Sequence, residues 1–73
     1  MEVYKLQIYQ GMIQYLLKST HYTLKDIATL SHSSITNIKS IYYHNVIPKD
    51  FLSESSLINL YQIVVNLKTR QTA

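Results

Sequence analysis

Histidines and carboxylates are the residues of this chain that could bind a metal ion or catalyse a reaction. The histidines stand at positions 21, 32 and 44, a spacing that matches no helical pair of metal ligands. The four acids are equally dispersed, at Glu2, Asp26, Asp50 and Glu54. With no cysteine and a single glycine, the sequence has neither a thiolate metal site nor a glycine-rich phosphate loop. We therefore expect no catalytic residue, no metal site, no cofactor and no enzymatic activity.

Composition places the chain among small helical proteins with a mildly basic surface. Its 73 residues allow one domain, residues 1–73, and seven lysines and arginines against four acids give a formal net charge of +3. This charge permits an anionic partner such as nucleic acid without requiring one. One glycine and one proline are too few for the many tight turns of a β-sandwich or barrel.

Targeting and membrane signals are not found in the sequence. No apolar run approaches the roughly 18 residues of a membrane span. The first ten residues, MEVYKLQIYQ, are not typical of a signal peptide. We expect a cytoplasmic protein with no membrane partner. With one small domain, no small-molecule effector is expected either.

Apolar residues recur at helical spacing in several segments. The first segment, residues 2–18, has a main apolar face formed by Leu6, Tyr9, Ile13, Leu16 and Leu17. A smaller stripe beside it consists of Ile8, Met12 and Tyr15. Gly11 lies inside this predicted helix and lowers its stability by about 1 kcal/mol relative to Ala.

Polar residues predict where two shorter helices begin and end. Thr23 is the predicted N-cap of the first, with Asp26 at the capping-box position, and this helix ends near Leu30. Ser33 or Ser34 caps the next helix, which ends within residues 42–44. Asn45 after it suits a left-handed backbone.

The break between these two short helices, SHSS at residues 31–34, predicts a steep helix crossing. Such a crossing needs a small residue at the contact, and Ala28 provides it. Ile38 and Ile41 supply inward apolar positions on the second helix. A brief turn of this kind projects the second helix away from the body of the domain.

Residues 23–42, TLKDIATLSHSSITNIKSIY, resemble the helix-turn-helix of bacterial and phage repressors, of the lac-repressor headpiece and Cro/cI types. TLKDIA is the strongest part of the match. The chain departs from the family at His32, where a glycine is usual, and at Ser33, where an apolar residue is usual. The resemblance implies an all-α fold of four to five short helices with a central helix-turn-helix.

The resemblance also implies which residues bind double-stranded DNA. The helix over about 34–43 becomes the recognition helix in the major groove. Base contacts are implied for Ile35, Thr36, Asn37, Lys39 and Ser40. Phosphate contacts, which fix register rather than sequence, are implied for Thr23, Ser34, Tyr43, His44 and Asn45.

Simpler roles stay open for several of these residues. Ile35, three residues before Ile38, equally fits a core position. Ser33 fits a cap, and Lys39 fits a solvated surface. The tyrosines fit the edge of a core, although aromatic rings also stack on single-stranded bases.

The last predicted helix, residues 53–68, is apolar around more of its circumference than one small core can cover. Its main stripe consists of Leu57, Leu60, Tyr61, Val64 and Leu67, with Ile58, Ile63 and Val65 outside it. We expect a homodimer through this helix, with Ile58, Tyr61 and Val65 at the interface. The alternatives are a monomer whose first helix covers the surplus and a strand at residues 62–67.

These patterns together favour a homodimeric, sequence-specific double-stranded DNA-binding transcriptional regulator associated with the nucleoid. One alternative is a protein-interaction module that uses the same helices without DNA. Another is an architectural DNA-binding protein with little sequence preference.

Overall fold

The described part of the chain is all-α. The computed structural model describes the backbone of residues 3–49 and 51–71, and the side chains of residues 4–49 and 51–69. Within these ranges there are four α-helices and no strand: α1 Val3–Ser19, α2 Leu24–Leu30, α3 Ile35–Tyr43 and α4 Glu54–Gln71. The predicted all-α class is confirmed, and the strand alternative at residues 62–67 is wrong, because that segment continues α4.

One hydrophobic core joins the four helices. It consists of buried side chains from every helix: Tyr9, Met12, Ile13, Leu16, Ile27, Ala28, Ile38, Ile41, Leu57, Leu60 and Val64. Helices α1 and α2 each contact all the others, whereas α3 contacts α1 and α2 but not α4. One side of α3 is therefore left without a covering helix.

Helices α1 and α4 lie side by side and run in the same direction. Lys5 and Glu54, near their N-termini, line one surface cleft, and Lys18 and Lys68, near their C-termini, line another. Between these ends, the rings of Tyr15 and Tyr61 meet edge to face with centroids 5.4 Å apart. The N-terminal ends of the two helices therefore lie near each other, as do their C-terminal ends.

Two apolar positions differ from the sequence prediction. The sequence places Leu67 on the main apolar stripe of α4, but its side chain is 54% exposed. The sequence places Met12 on the smaller stripe of α1, yet its side chain is buried. By the rotation of 100° per residue, Met12 lies close to Tyr9 and Leu16 on the core side of the helix.

The capping predictions for α2 and α3 are confirmed. The Thr23 hydroxyl accepts a hydrogen bond from Asp26 N (3.2 Å), and Thr23 N donates to the Asp26 carboxylate (3.0 Å), which completes the capping box. Of the two serines proposed for α3, Ser34 is the N-cap, with its hydroxyl accepting from Asn37 N at 3.1 Å.

Candidate nucleic-acid interface

The turn between α2 and α3 is a Schellman motif without glycine. Ser33 N donates to Ala28 O (2.8 Å) and His32 N donates to Thr29 O (3.2 Å), the two bonds that define this motif. His32 takes the left-handed conformation, with φ of 59°. The His32 carbonyl accepts a bond from the Ser53 hydroxyl at 2.8 Å, which ties the turn to the start of α4.

Two serine hydroxyls occupy the inside of this turn. Ser31 is fully buried, and its hydroxyl donates to Ile27 O at 2.7 Å. The hydroxyls of Ser31 and Ser33 lie 2.8 Å apart and share a hydrogen bond. Ser33 can occupy a position where an apolar residue would pack, because its hydroxyl is hydrogen-bonded inside the turn. The burial of Ser31 was missed, although its position four residues after Ile27 places it on the apolar face of α2.

Packing between α2 and α3 centres on three residues that the sequence singled out. Ala28 is 3% exposed, and Ile38 and Ile41 are fully buried. The small side chain of Ala28 allows the two helices to approach, while the isoleucines anchor α3 to the core.

The outward face of α3 bears Thr36, Lys39, Ser40 and Tyr43. At 100° per residue, these four lie within an arc of about 100° centred opposite Ile38 and Ile41. Thr36, Lys39 and Tyr43 are exposed, and Ser40 is half-buried. The face presents three hydroxyl groups and one ammonium group to solvent.

Two further predicted base-contacting residues lie at the flanks of this face. Ile35 is half-buried and packs against the core, so its side chain is only partly available to a ligand. Asn37 is half-buried on the other flank. The structure thus brings Thr36, Lys39 and Ser40 together and sets Ile35 and Asn37 to either side.

The C-terminal end of α3 is held by α1 through Gln10. The Gln10 side-chain amide donates to Ile41 O (2.9 Å) and to the Asn45 side-chain oxygen (2.6 Å). Asn45 adopts the predicted left-handed conformation, with φ of 57°. Gln10 was missed by sequence analysis, because its partners lie 31 and 35 residues away and no local pattern signals them.

The residues predicted to contact phosphate divide into two groups. Thr23 and Ser34 use their hydroxyl oxygens as caps, yet each hydroxyl hydrogen remains able to donate to a phosphate. Tyr43, His44 and Asn45 are exposed together at the end of α3. Tyr43 contacts Tyr42 edge to face, with ring centroids 5.2 Å apart.

The surface formed by α3 and its flanking turns carries no carboxylate. From Ile27 to Lys49 the sequence contains no Asp or Glu. Within α3, one residue is charged, Lys39. A negatively charged ligand would meet hydroxyl, amide and ammonium donors here without repulsion from a side chain of like sign.

The predicted dimer residues lie on one side of α4, and one of them, Tyr61, contacts α1. Ile58, Tyr61 and Val65 are half-buried, and the ring of Tyr61 rests against Tyr15. Ile8, 55% exposed, lies on the same side of α1 as Tyr15. We call these five residues the α1–α4 face.

The other side of α4 carries a second apolar surface. Ile63 and Leu67 are each more than half exposed, and Leu30 at the end of α2 is 46% exposed. Leu30 and Ile63 line one groove, and its other lining residues are His32, Ser56, Asn59 and Leu60. We call Leu30, Ile63 and Leu67 the α2–α4 face.

Comparison of the chain with protein-family models, with curated proteins and with solved structures gives no match. Among the helices that the structure describes, none is long and apolar enough to cross a membrane. Likewise, in residues 3–49 and 51–71 no three His, Asp or Glu side chains are grouped so that they could hold a metal ion.

Proposed function

We propose that this protein is a sequence-specific double-stranded DNA-binding transcriptional regulator. In this proposal, α2 and α3 form a helix-turn-helix of the Cro/cI type and α3 is the recognition helix. The observation that carries the proposal is the outward face of α3, which has exposed hydrogen-bonding groups and a lysine, no carboxylate and no covering helix.

The chemistry of this face suits the edges of base pairs. Thr36 and Ser40 have hydroxyls that both donate and accept, and Lys39 can donate to guanine O6 and N7 or to a phosphate. The exposed part of Ile35 can contact a thymine methyl group. Asn37 reaches the groove only if its half-buried amide turns outward towards an adenine.

Rigid positioning of α3 supports the same function. The Schellman motif fixes its start, the Ser53 hydroxyl anchors the preceding turn, and Gln10 holds its end. A recognition surface held at both ends loses little conformational freedom when it binds.

The proposal includes a homodimer formed through the α1–α4 face. One recognition helix reads only a few base pairs, and a two-fold pair of helices reads two half-sites. The residues of the α1–α4 face carry no charge: Ile8, Tyr15, Ile58, Tyr61 and Val65. A second copy of this +3 chain can therefore dock there without juxtaposing like charges. We place the dimer in the cytoplasm, at the nucleoid.

A second candidate is a protein-interaction module. It is favoured by the exposure of Tyr43 (61%) and Val46 (54%) at the end of α3, which are apolar groups typical of a protein contact. A low-specificity architectural DNA-binding protein is the third candidate, and it would use the same basic surface without base preference.

Selection of bound sequences from a random duplex pool tests the proposal. We expect enrichment of a paired motif that the protein then binds at least about 10³-fold tighter than random duplex at physiological salt, with strong salt dependence. Salt-dependent binding without an enriched motif would favour the architectural alternative. Absence of duplex binding at low salt would exclude both DNA-binding functions.

A further inference from the structure

Two lysines from opposite ends of the chain line one open cleft. Lys18 lies in the last turn of α1 and Lys68 in the last turn of α4. The cleft has a volume of about 470 Å³, and its other lining residues are Ser19, Thr20, His21 and Tyr22. No carboxylate contributes to its lining.

Helix electrostatics explain why each lysine lies near a helix C-terminus, but not why the two lysines border the same cleft. A lysine near a helix C-terminus interacts favourably with the partial negative charge there. Because α1 and α4 run in the same direction, however, both ammonium groups border the same space. Neither forms an ion pair or a hydrogen bond with the described part of the chain. Two unpaired cations beside one cleft favour an anionic occupant.

A second cleft at the other end of the same two helices provides the contrast. It too is lined by two lysines, Lys5 and Lys49, but there Glu54 contributes a carboxylate to the lining. Along α1, Lys5 and Lys18 are about 20 Å apart at 1.5 Å per residue. The two clefts therefore differ in one respect: a carboxylate lines the cleft of Lys5 and Lys49, and none lines the cleft of Lys18 and Lys68.

We propose that the cleft of Lys18 and Lys68 binds a phosphate group. The two ammonium groups supply charge, and the Ser19 hydroxyl and the His21 imidazole add donors at its wall. The Thr20 hydroxyl is already committed, since it donates to Leu16 O (2.6 Å) and accepts from Tyr22 N (2.9 Å). These two bonds hold the connection between α1 and α2 in the shape that forms the cleft.

The phosphate assigned to this cleft is one of the DNA backbone. The wall of the cleft ends at Tyr22, and the next residue is Thr23, whose cap hydroxyl is a predicted phosphate contact. A backbone that passes the start of α2 therefore reaches Lys18 and Lys68 as it continues. This choice of DNA as the source of the phosphate rests on the proposed function, whereas the phosphate site itself does not.

Titration with inorganic phosphate tests the site directly. Backbone amide resonances of Thr20, His21 and Tyr22 are followed by two-dimensional NMR, with chloride at matched ionic strength as the reference. We expect saturable shifts that Lys18→Gln with Lys68→Gln abolishes. The matched variant Lys5→Gln with Lys49→Gln removes the same charge from the other cleft and should keep the shifts.

The salt dependence of duplex binding tests the source of the phosphate. Each lysine that meets a DNA phosphate contributes about one unit to the slope of log K against log salt. Lys18→Gln with Lys68→Gln should flatten the slope by about two units per protomer, and so by about four units for the proposed homodimer, without changing base preference, while Lys5→Gln with Lys49→Gln leaves the slope as in the parent.

The outcomes separate this proposal from the proposed function. Phosphate shifts with an unchanged slope would keep the site but overturn DNA as its source, in favour of a free phosphorylated compound. If neither the shifts nor the slope depends on Lys18 and Lys68, the cleft proposal is overturned while duplex binding stands. If the parent binds no duplex, the proposed function fails, and the phosphate titration alone decides whether the cleft is a phosphate site.

Discussion

Among the residues that the structure describes, His32 is one of two non-glycine residues with a left-handed backbone conformation. Its φ of 59° lies in the left-handed region, which costs a non-glycine residue roughly 1–2 kcal/mol. Its side chain is exposed, and its hydrogen bonds are made by backbone atoms. The turn therefore does not depend on the imidazole for its geometry.

We predict that His32→Gly stabilises the protein. The gain should be about 0.5–1 kcal/mol, because glycine adopts this conformation without strain but loses more backbone entropy on folding. Thermal unfolding followed by circular dichroism should show a rise of several degrees. Asn45→Gly is the matched control at the other left-handed position. It should give no gain, since asparagine tolerates this region and the Asn45 side chain accepts a bond from Gln10. A decrease in melting temperature for His32→Gly would contradict the account of the turn.

Substitutions on the outward face of α3 can distinguish side chains that read base pairs from side chains that position the helix on the DNA backbone. We predict that Thr36→Ala and Ser40→Ala each relax the preference at particular base pairs and leave the melting temperature unchanged. Lys39→Ala should weaken binding and, if the lysine meets a phosphate, flatten the salt slope by about one unit per protomer. Quantitative binding to the selected site and to its single-base variants measures both effects. Unchanged affinity in all three proteins would mean that another surface contacts DNA.

At the scale of helices, the contact between α2 and α3 depends on the small size of Ala28. We predict that Ala28→Leu lowers the free energy of unfolding by about 1–3 kcal/mol through overpacking and also abolishes DNA binding. Thr29→Leu adds a comparable side chain at the adjacent exposed position of α2 and should affect neither property. Chemical denaturation and duplex binding measure the two effects. A protein with Ala28→Leu that unfolds and binds like the one with Thr29→Leu would remove Ala28 from the helix contact.

The link between α1 and the end of α3 gives a prediction about a residue outside the proposed interface. Gln10→Glu preserves shape but replaces the donating amide with a carboxylate that faces the Ile41 carbonyl. We expect a loss of about 1–3 kcal/mol of stability and weaker operator binding, because the end of α3 is released. Gln14→Glu makes the same charge change at an exposed position one turn along α1 and should cost within about 0.5 kcal/mol. Equal melting temperatures for the two variants would show that the Gln10 bonds do not hold α3.

The helices were predictable because their signals are local. Apolar periodicity, the Thr23–Asp26 capping box and the Ser34 cap all lie within a few residues of the structure that they specify. The outward face of α3 follows from the same periodicity, once Ile38 and Ile41 are assigned inward.

Contacts between distant segments could not be predicted in this way. The bonds from Gln10 to Asn45 and from Ser53 to His32 join residues 35 and 21 positions apart. Whether a given Gln or Ser makes such a bond depends on how the helices are arranged in space.

For the whole molecule, the distribution of exposed apolar groups raises the question of self-association. The core of a 73-residue chain is small, and both sides of α4 still carry apolar groups after the four helices have packed. The α1–α4 face consists mostly of half-buried residues. The α2–α4 face has fewer apolar residues, but each is more exposed. Both faces lie on α4, so one pair of matched variants can distinguish them.

We predict that Ile58→Glu with Val65→Glu gives a monomer by analytical ultracentrifugation, with operator affinity falling sharply. In a two-fold dimer these positions approach their symmetry mates, and the introduced carboxylates would be desolvated close to one another. Ile63→Glu with Leu67→Glu adds the same charge to the same helix on the α2–α4 face and should leave the dimer intact. Circular dichroism of both variants separates dissociation from unfolding. In the parent, the two half-sites of the selected DNA should lie about one helical turn, or about 34–36 Å, apart.

Dissociation by Ile63→Glu with Leu67→Glu alone would move the interface to the α2–α4 face. A parent protein that sediments as a monomer at concentrations saturating its DNA site would show that each copy binds DNA independently.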